Sequence, residues 1–312
     1  MQTILLIGGF GFLGTNIIKY IDTHLADQYN VIVFDKYPEH IHNIQFKSIL
    51  KTYTGDFSDT VLVDDVLKSN NIDLVIHSLG TTVPTSSFNA RYDIESNLIP
   101  SIELFNSMVK NNIYDIVYIS SGGAIYGNSS YSVKHHENEN VLPISSYGVV
   151  KLAIEKYLLQ YASLYNLRPL ILRLSNPYGP YHYSMKQGVI NVAMTKALRG
   201  DIMQIWGDGN GKKDYIYVED FVNILMVLLK KGINGEVINL GSGELCSVND
   251  IVRAINRFVP NFKSEHINAQ KFDVSHFELD LTKLNKLIGD FPFTSLNEGL
   301  QKTFNWTEGL CN

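Results

Sequence analysis

Ile4-Leu5-Leu6-Ile7-Gly8-Gly9-Phe10-Gly11-Phe12-Leu13-Gly14-Thr15 is the stretch that decides the fold. The run from Thr3 to Ile7 is apolar throughout rather than alternating, which reads as a strand buried on both faces. It stops at glycines spaced for a tight turn, and Thr15 to His24 then carries helical periodicity. Strand, glycine turn and helix in immediate succession bring backbone amides to a helix N-terminus, where a pyrophosphate is received. The glycines satisfy Gly-x-Gly-x-x-Gly from Gly9 and Gly-x-x-Gly-x-x-Gly from Gly8, so the spacing alone selects no family. Asp35 closes the next apolar run about 20 residues on, where a carboxylate accepts hydrogen bonds from an adenosine ribose and repels a 2′-phosphate. That favours NAD over NADP, and Lys36 beside it tempers the preference.

Outward from this start the rhythm is βαβα. Val31 to Phe34, Leu74 to His77, Ile116 to Ile119 and Leu170 to Leu174 repeat the buried-strand pattern, and the helical intervals Ser58 to Ser69, Asn97 to Lys110 and Val149 to Tyr165 separate them. The expectation is an α/β protein with a Rossmann-type doubly wound parallel sheet. After Asn176 the pattern changes to glycine- and proline-punctuated chain, with further strands at Tyr215 to Val218 and Val237 to Leu240. Residues 1–175, with 215–240 returning to them, are expected to bind NAD. Residues 176–214 and 241–312 are expected to form a smaller mixed C-terminal substrate-binding domain.

Composition bounds the partners. A chain of 312 residues, 45% hydrophobic, has ample material for a core, and a net charge of −5 without long basic runs argues against nucleic acid or an anionic membrane surface. No apolar stretch suits a signal peptide or a membrane span, and Cys246 and Cys311 are too few for a disulfide framework or a cysteine metal site. A cytoplasmic protein acting on small molecules, without a bound metal, is expected.

Tyr147-Gly148-Val149-Val150-Lys151 carries the chemistry. A four-residue spacing on a helix puts phenol and ammonium on one face, where the cation is expected to lower the phenol pKa. With the glycine loop, Asp35, Tyr147 and Lys151 in this order, the chain resembles the extended short-chain dehydrogenase/reductase family, specifically its nucleotide-sugar epimerases and dehydratases. Further matches run nearly end to end: Gly55-Asp56-Phe57, Asn97, Ile119-Ser120-Ser121-Gly122-Gly123-Ala124-Ile125-Tyr126-Gly127, Arg173-Leu174-Ser175-Asn176-Pro177-Tyr178-Gly179-Pro180, Gly207-Asp208-Gly209, Asp214-Tyr215-Ile216-Tyr217-Val218, Asp280-Leu281-Thr282-Lys283 and Thr303-Phe304-Asn305-Trp306.

The resemblance implies hydride chemistry at a sugar carbon, with Tyr147 transferring the proton and Lys151 lowering its pKa and binding the nicotinamide ribose. It implies cofactor contacts at Gly8, Gly11, Phe12, Leu13, Gly14, Asp35, Lys36, Asp56, Phe57, Leu79, Asn97, Tyr147 and Lys151. A nucleoside diphosphate sugar would meet Gly122, Asn176, Val189, Lys213, Gln270 and Phe277. It also implies a homodimer formed through Asn97 to Lys110 and Val149 to Tyr165, both of which carry apolar stripes.

The departures narrow the reaction. Gly123-Ala124 stand where the family's dehydratases carry Asp-Glu and its decarboxylases keep the Glu, so no acid is there to protonate a leaving hydroxyl. Neither cysteine is near this strand, which disfavours the branch that epimerises at C3 and C5. Gly122 occupies the usual Ser/Thr position, so Ser121, a water or the substrate must supply that hydroxyl; Ser120 and Ser121 suit strand-end backbone bonding equally well. Lys213 and Gln270 replace two arginines, which loses a bidentate fork at one and the charge at the other, with Lys271 adjacent as a substitute. Phe277 corresponds to the position gating the hexose C2 substituent, where its bulk favours unacetylated sugars, and it equally suits core packing. The resulting expectation is an NAD-dependent 4-epimerase of the UDP-glucose/UDP-galactose type. The alternatives are an NAD(P)H-dependent reductase of a nucleotide-linked 4-keto-6-deoxy sugar and a non-catalytic NAD-binding regulator.

Overall fold

The computed structural model describes residues 1–37, 45–83, 89–128, 133–269, 274 and 276–311. The chain runs β1 (Gln2–Ile7), α1 (Phe12–His24), β2 (Tyr29–Asp35), β3 (Ile49–Thr54), α2 (Thr60–Ser69), β4 (Leu74–His77), α3 (Ala90–Asp93), α4 (Ile99–Lys110), β5 (Asp115–Ser121), α5 (Gly122–Ile125), β6 (Lys134–His135), α6 (Ser146–Tyr165), β7 (Arg168–Leu174) and β8 (Asn176–Tyr178). It continues through α7 (Val189–Arg199), β9 (Met203–Trp206), β10 (Lys212–Tyr217), α8 (Val218–Lys230), β11 (Glu236–Leu240), β12 (Leu245–Ser247), α9 (Val248–Ile255), β13 (Ser264–Ile267), β14 (Glu278–Leu279), α10 (Thr282–Ile288) and α11 (Leu296–Cys311).

Seven strands make one sheet in the order β11-β7-β5-β4-β1-β2-β3. Strand β1 pairs in parallel with β2 and β4, β2 with β3, and β4 with β5. The order reverses direction at β1, which places the end of β1 and its glycine turn at the switch point where α/β sheets bind ligands. This is the Rossmann-type doubly wound sheet expected from the apolar strands. One face carries Leu5, Ile7, Ile32, Phe34, Val75, Ile116 and Ile171 against Leu104, Phe105 and Met108 of α4 and Val150, Ile154 and Leu158 of α6. Burying one such side chain contributes roughly 1.5–3 kcal/mol, so this layer anchors α6, the helix that bears Tyr147 and Lys151.

The chain divides into two compact units, Met1–Ser121 with Ser145–Arg173 and Leu229–Ile238, and Gly122–Ile144 with Leu174–Leu228 and Asn239–Asn312. The expected return of 215–240 to the nucleotide-binding part is narrower in the structure. Strand β10 pairs with β8 and β12 in the second unit's own three-stranded sheet, Tyr215 opposite Asn176 and Lys213 opposite Cys246. A short apolar strand fits a place in either sheet, and the long-range partner decides. The second unit has its own core, built from Ile190, Ala193 and Met194 of α7, Ile205, Tyr215, Tyr217, Ile251, Ile255 and Leu300.

Candidate active site

Helix α6 begins where the Ser145 hydroxyl accepts the Gly148 amide at 3.2 Å, which satisfies one of the open donors of the first turn. From there the buried face runs through Val150, Lys151, Ile154, Glu155 and Leu158, so Lys151 is turned inward over β5. The Lys151 ammonium donates to the Ile119 carbonyl at 2.9 Å and lies 4.8 Å from the centre of the Tyr118 ring. It stands 5.9 Å from the centre of the Tyr147 ring. Ser121, at the end of β5, acts through its side chain on the Tyr147 phenol and favours its ionised form. A hydroxyl thus lies near the phenol one residue before Gly122.

Burial pushes the Tyr147 phenol up to about 12, and the Ser121 side chain acts in the opposite direction. Burial pushes Lys151 down to about 8, against the field of Glu155. This corrects the expectation that Lys151 would leave the phenol below its ordinary value. The ammonium is engaged by a carbonyl and a neighbouring ring, and desolvation of the phenolate outweighs its charge.

Lys151 and Tyr147 border a small recess lined also by His77, Leu79, Asn97 and Ser101. His77 is fully enclosed between the rings of Phe57 and Tyr118, and its Nε2 is 2.9 Å from the Ser101 hydroxyl. Burial and the nearby Lys151 charge hold its imidazole at about 3, so it is neutral at physiological pH. Asn97 sits in a single π-helical turn, Ile94–Leu98, ahead of α4. That turn aims its amide at Thr81, accepting from the backbone N–H at 2.9 Å and donating to the hydroxyl at 2.6 Å. The helix expected to start at Asn97 thus begins as α3, passes through this turn and continues as α4.

The glycine turn follows β1 directly. Gly8 has φ +77°, and its amide donates to the Phe34 carbonyl at 2.9 Å. A Cβ on Gly14 would stand 2.5 Å from the Gly8 carbonyl oxygen, so the helix can start this close to the strand only without a side chain there. Gly11 caps α1 with no side chain, while Phe12 and Leu13 open the helix. Leu79 backs the turn, its Cα 3.0 Å from where a Gly8 Cβ would be.

Asp35 is buried at the end of β2. One of its oxygens accepts the Phe10 amide at 2.9 Å and the other accepts the Tyr37 amide at 3.0 Å. Lys36 is paired with Asp56 at 2.6 Å, and this pairing together with the Ser58 amide and hydroxyl holds the Asp56 carboxyl at about 2. Phe57 is core, 3% exposed. These residues fit a dinucleotide: a glycine-rich turn, a helix start without a side-chain cap, and a carboxylate whose oxygens each retain acceptor capacity for ribose hydroxyls.

The expected substrate residues belong to the second unit. Gly122 opens α5, and Asn176 opens β8 with its amide donating to the Asp214 carbonyl at 2.8 Å. Lys213 of β10 bridges to Phe277, which is 1% exposed and would lie 3.3 Å from a Cβ on Gly123. Phe277 thus fills the space that a side chain at 123 would take and is packed as core. Val189 starts α7 behind Gly188. Gln270, with Lys271, lies outside the described residues. Sequence reasoning missed His77 and Tyr118, whose signal was a polar group inside an apolar strand run, and the pair of Glu155 with Arg173. Among the described residues, no cluster of His, Cys, Asp and Glu could hold a metal ion, and no helix is long and apolar enough to cross a membrane.

The profile of the NAD dependent epimerase/dehydratase family matches residues 4–241. A proposed UDP-glucose 4-epimerase of Methanocaldococcus jannaschii is 32% identical over 97% of both chains. The dTDP-4-dehydro-6-deoxyglucose reductase of Escherichia coli is 28% identical over 96% of this chain and 95% of its own. The crystal structure of UDP-glucose 4-epimerase from Thermotoga maritima with UDP-glucose superposes with a TM-score of 0.89 over the whole of both chains, at 28% identity. With the glycine turn, Asp35 and the Tyr147/Lys151 helix in place, this chain belongs to the NAD-dependent epimerase/dehydratase family of extended short-chain dehydrogenases/reductases, and NAD is its cofactor.

Proposed function

We propose that this protein is a cytoplasmic nucleotide-sugar 4-epimerase that interconverts UDP-glucose and UDP-galactose through a transient 4-keto sugar. The observation that carries the reading is the Ser121–Tyr147–Lys151 arrangement, a phenol on which the Ser121 side chain acts, one helical turn from a buried ammonium. When bound, NAD supplies a two-electron acceptor and a positive charge. Tyr147 acts once its own proton has left: the phenolate takes the proton from the sugar hydroxyl and returns it, with Ser121 favouring the ionised form. Lys151 provides the fixed positive charge that favours the phenolate as the proton leaves.

The absence of an acid at Gly123 and Ala124 supports epimerisation over loss of water, and Phe277 filling that space supports it further. In this reading the first unit holds NAD. The second unit holds the nucleoside diphosphate sugar, with Asn176, Val189, Lys213 and Gln270 as its contacts. Exposed Ile99 of α4 and Tyr157 and Leu164 of α6 support a homodimer through these helices, which sedimentation at micromolar concentration tests. Incubation with UDP-galactose and no added cofactor should yield UDP-glucose by chromatography, and denaturation should release NAD near one per chain. The reductase among the relatives supports a second reading, reduction of a nucleotide-linked 4-keto-6-deoxy sugar, in which turnover requires added NAD(P)H and no interconversion of UDP-hexoses is seen.

A further inference from the structure

Three elements of the first unit converge on one buried carboxylate. Glu155 is 1% exposed and lies one turn beyond Lys151 on the inward face of α6. One of its oxygens accepts the hydroxyl of Ser120, the residue before Ser121 on β5. The other is 2.8 Å from a guanidinium nitrogen of Arg173 on β7, itself 3% exposed, and Arg173 Nε donates to the same oxygen at 3.2 Å. Arg173, Glu155 and Lys151 thus form an alternating row of charges inside the protein. A buried ion pair is a poor source of stability, since apolar residues of similar volume often do as well, so its presence here asks for another role.

The groups around Lys151 indicate that role. Tyr147 and Glu155 face it from α6, Tyr118 from β5 and His77 from β4. Both tyrosines are held protonated by burial and His77 is held neutral, so among these groups Glu155 is the one that brings negative charge. We propose that Glu155 is a positioning residue whose carboxylate pins the end of β5 to α6 through Ser120 and keeps Lys151 a cation inside the protein. Its effect on turnover rests on the epimerase reading, but its effect on Lys151 does not.

The test is a titration of the full-length protein carrying lysine labelled with ¹³C at Cε, followed by NMR, with the Lys151 signal identified by its loss in Lys151→Met. The double variant Glu155→Met/Arg173→Met removes the carboxylate without stranding its partner, so it keeps the site foldable, and circular dichroism verifies that it is folded. The Lys151 midpoint should fall by at least one pH unit in the double variant. Ser120→Ala keeps the carboxylate, and should leave the midpoint in place while lowering kcat. An unchanged midpoint in the folded double variant overturns the proposal, as does a Ser120→Ala variant that moves the midpoint equally. A midpoint that falls as expected in a protein without epimerase activity supports the proposal and removes only the functional reading.

Discussion

The Lys151 ammonium is 2.9 Å from the Ile119 carbonyl oxygen and 5.9 Å from the centre of the Tyr147 ring. The lysine is therefore anchored to the strand rather than to the phenol. That geometry accounts for a phenol up near 12 beside a lysine down near 8, since both are set first by burial.

Tyr147→Phe removes the hydroxyl proposed to transfer the proton and little else. Turnover should fall by ~10²–10⁴-fold while NAD content and thermal stability stay close to wild type. Steady-state kinetics beside chromatography of the released nucleotide checks this, and retained turnover would place the proton transfer elsewhere.

Lys151→Met should change the pH dependence of stability. The folded value of about 8 lies below that of an unfolded lysine, so between roughly pH 8 and 10.5 the unfolded chain binds more protons and wild-type stability gains as pH rises. The variant lacks this gain. Denaturant unfolding from pH 7 to 10.5 should show the wild type improving on Lys151→Met by at most about 3 kcal/mol. The raised Tyr147 phenol acts oppositely, with stability lost between about pH 10 and 12, but it is present in both proteins and cancels in the difference.

The element that bears the site was readable from its residues, and the fine structure of the site was not. Ile4 to Ile7 are apolar because this central strand is buried on both faces, and the glycines after it allow the positive φ that the turn takes at Gly8. Strand β3 left no such signal: it lies at the sheet edge, Leu50 is 60% exposed, and Lys51, Thr52 and Thr54 are exposed as well. Arg173 and Glu155 look like surface charges on their own strand and helix, because only the sheet order brings β7 and α6 together around them. The direction of the Tyr147 shift was misread for a related reason. Spacing reveals a neighbouring charge but not the desolvation that outweighs it.

Asp56 should govern cofactor choice through Lys36. With Lys36 paired at 2.6 Å, its charge is not free to meet a 2′-phosphate, and Asp35 discriminates without opposition. Asp56→Asn should shift the ratio of NADP to NAD affinity toward NADP by roughly five-fold, in keeping with an exposed pair. Adding Lys36→Met should cancel the shift. Calorimetric titration with both dinucleotides measures it, and a ratio unchanged in Asp56→Asn would show that the pair has no part in selectivity.

Phe277→Ala separates core packing from substrate gating. A side chain 1% exposed and seated against Gly123 should cost ~3–5 kcal/mol when truncated, read as a lowered denaturant midpoint. If Phe277 acted only as a gate, stability would hold and N-acetylated UDP-hexoses would become substrates.

The most direct measurement follows hydrogen at C4. UDP-glucose deuterated at that carbon, incubated with the purified protein and no added cofactor, should give UDP-galactose that keeps the deuterium, because a hydride removed and returned within one site does not exchange with water. Product that has lost the label, or no product from protein that carries NAD, would contradict the 4-keto epimerase assignment.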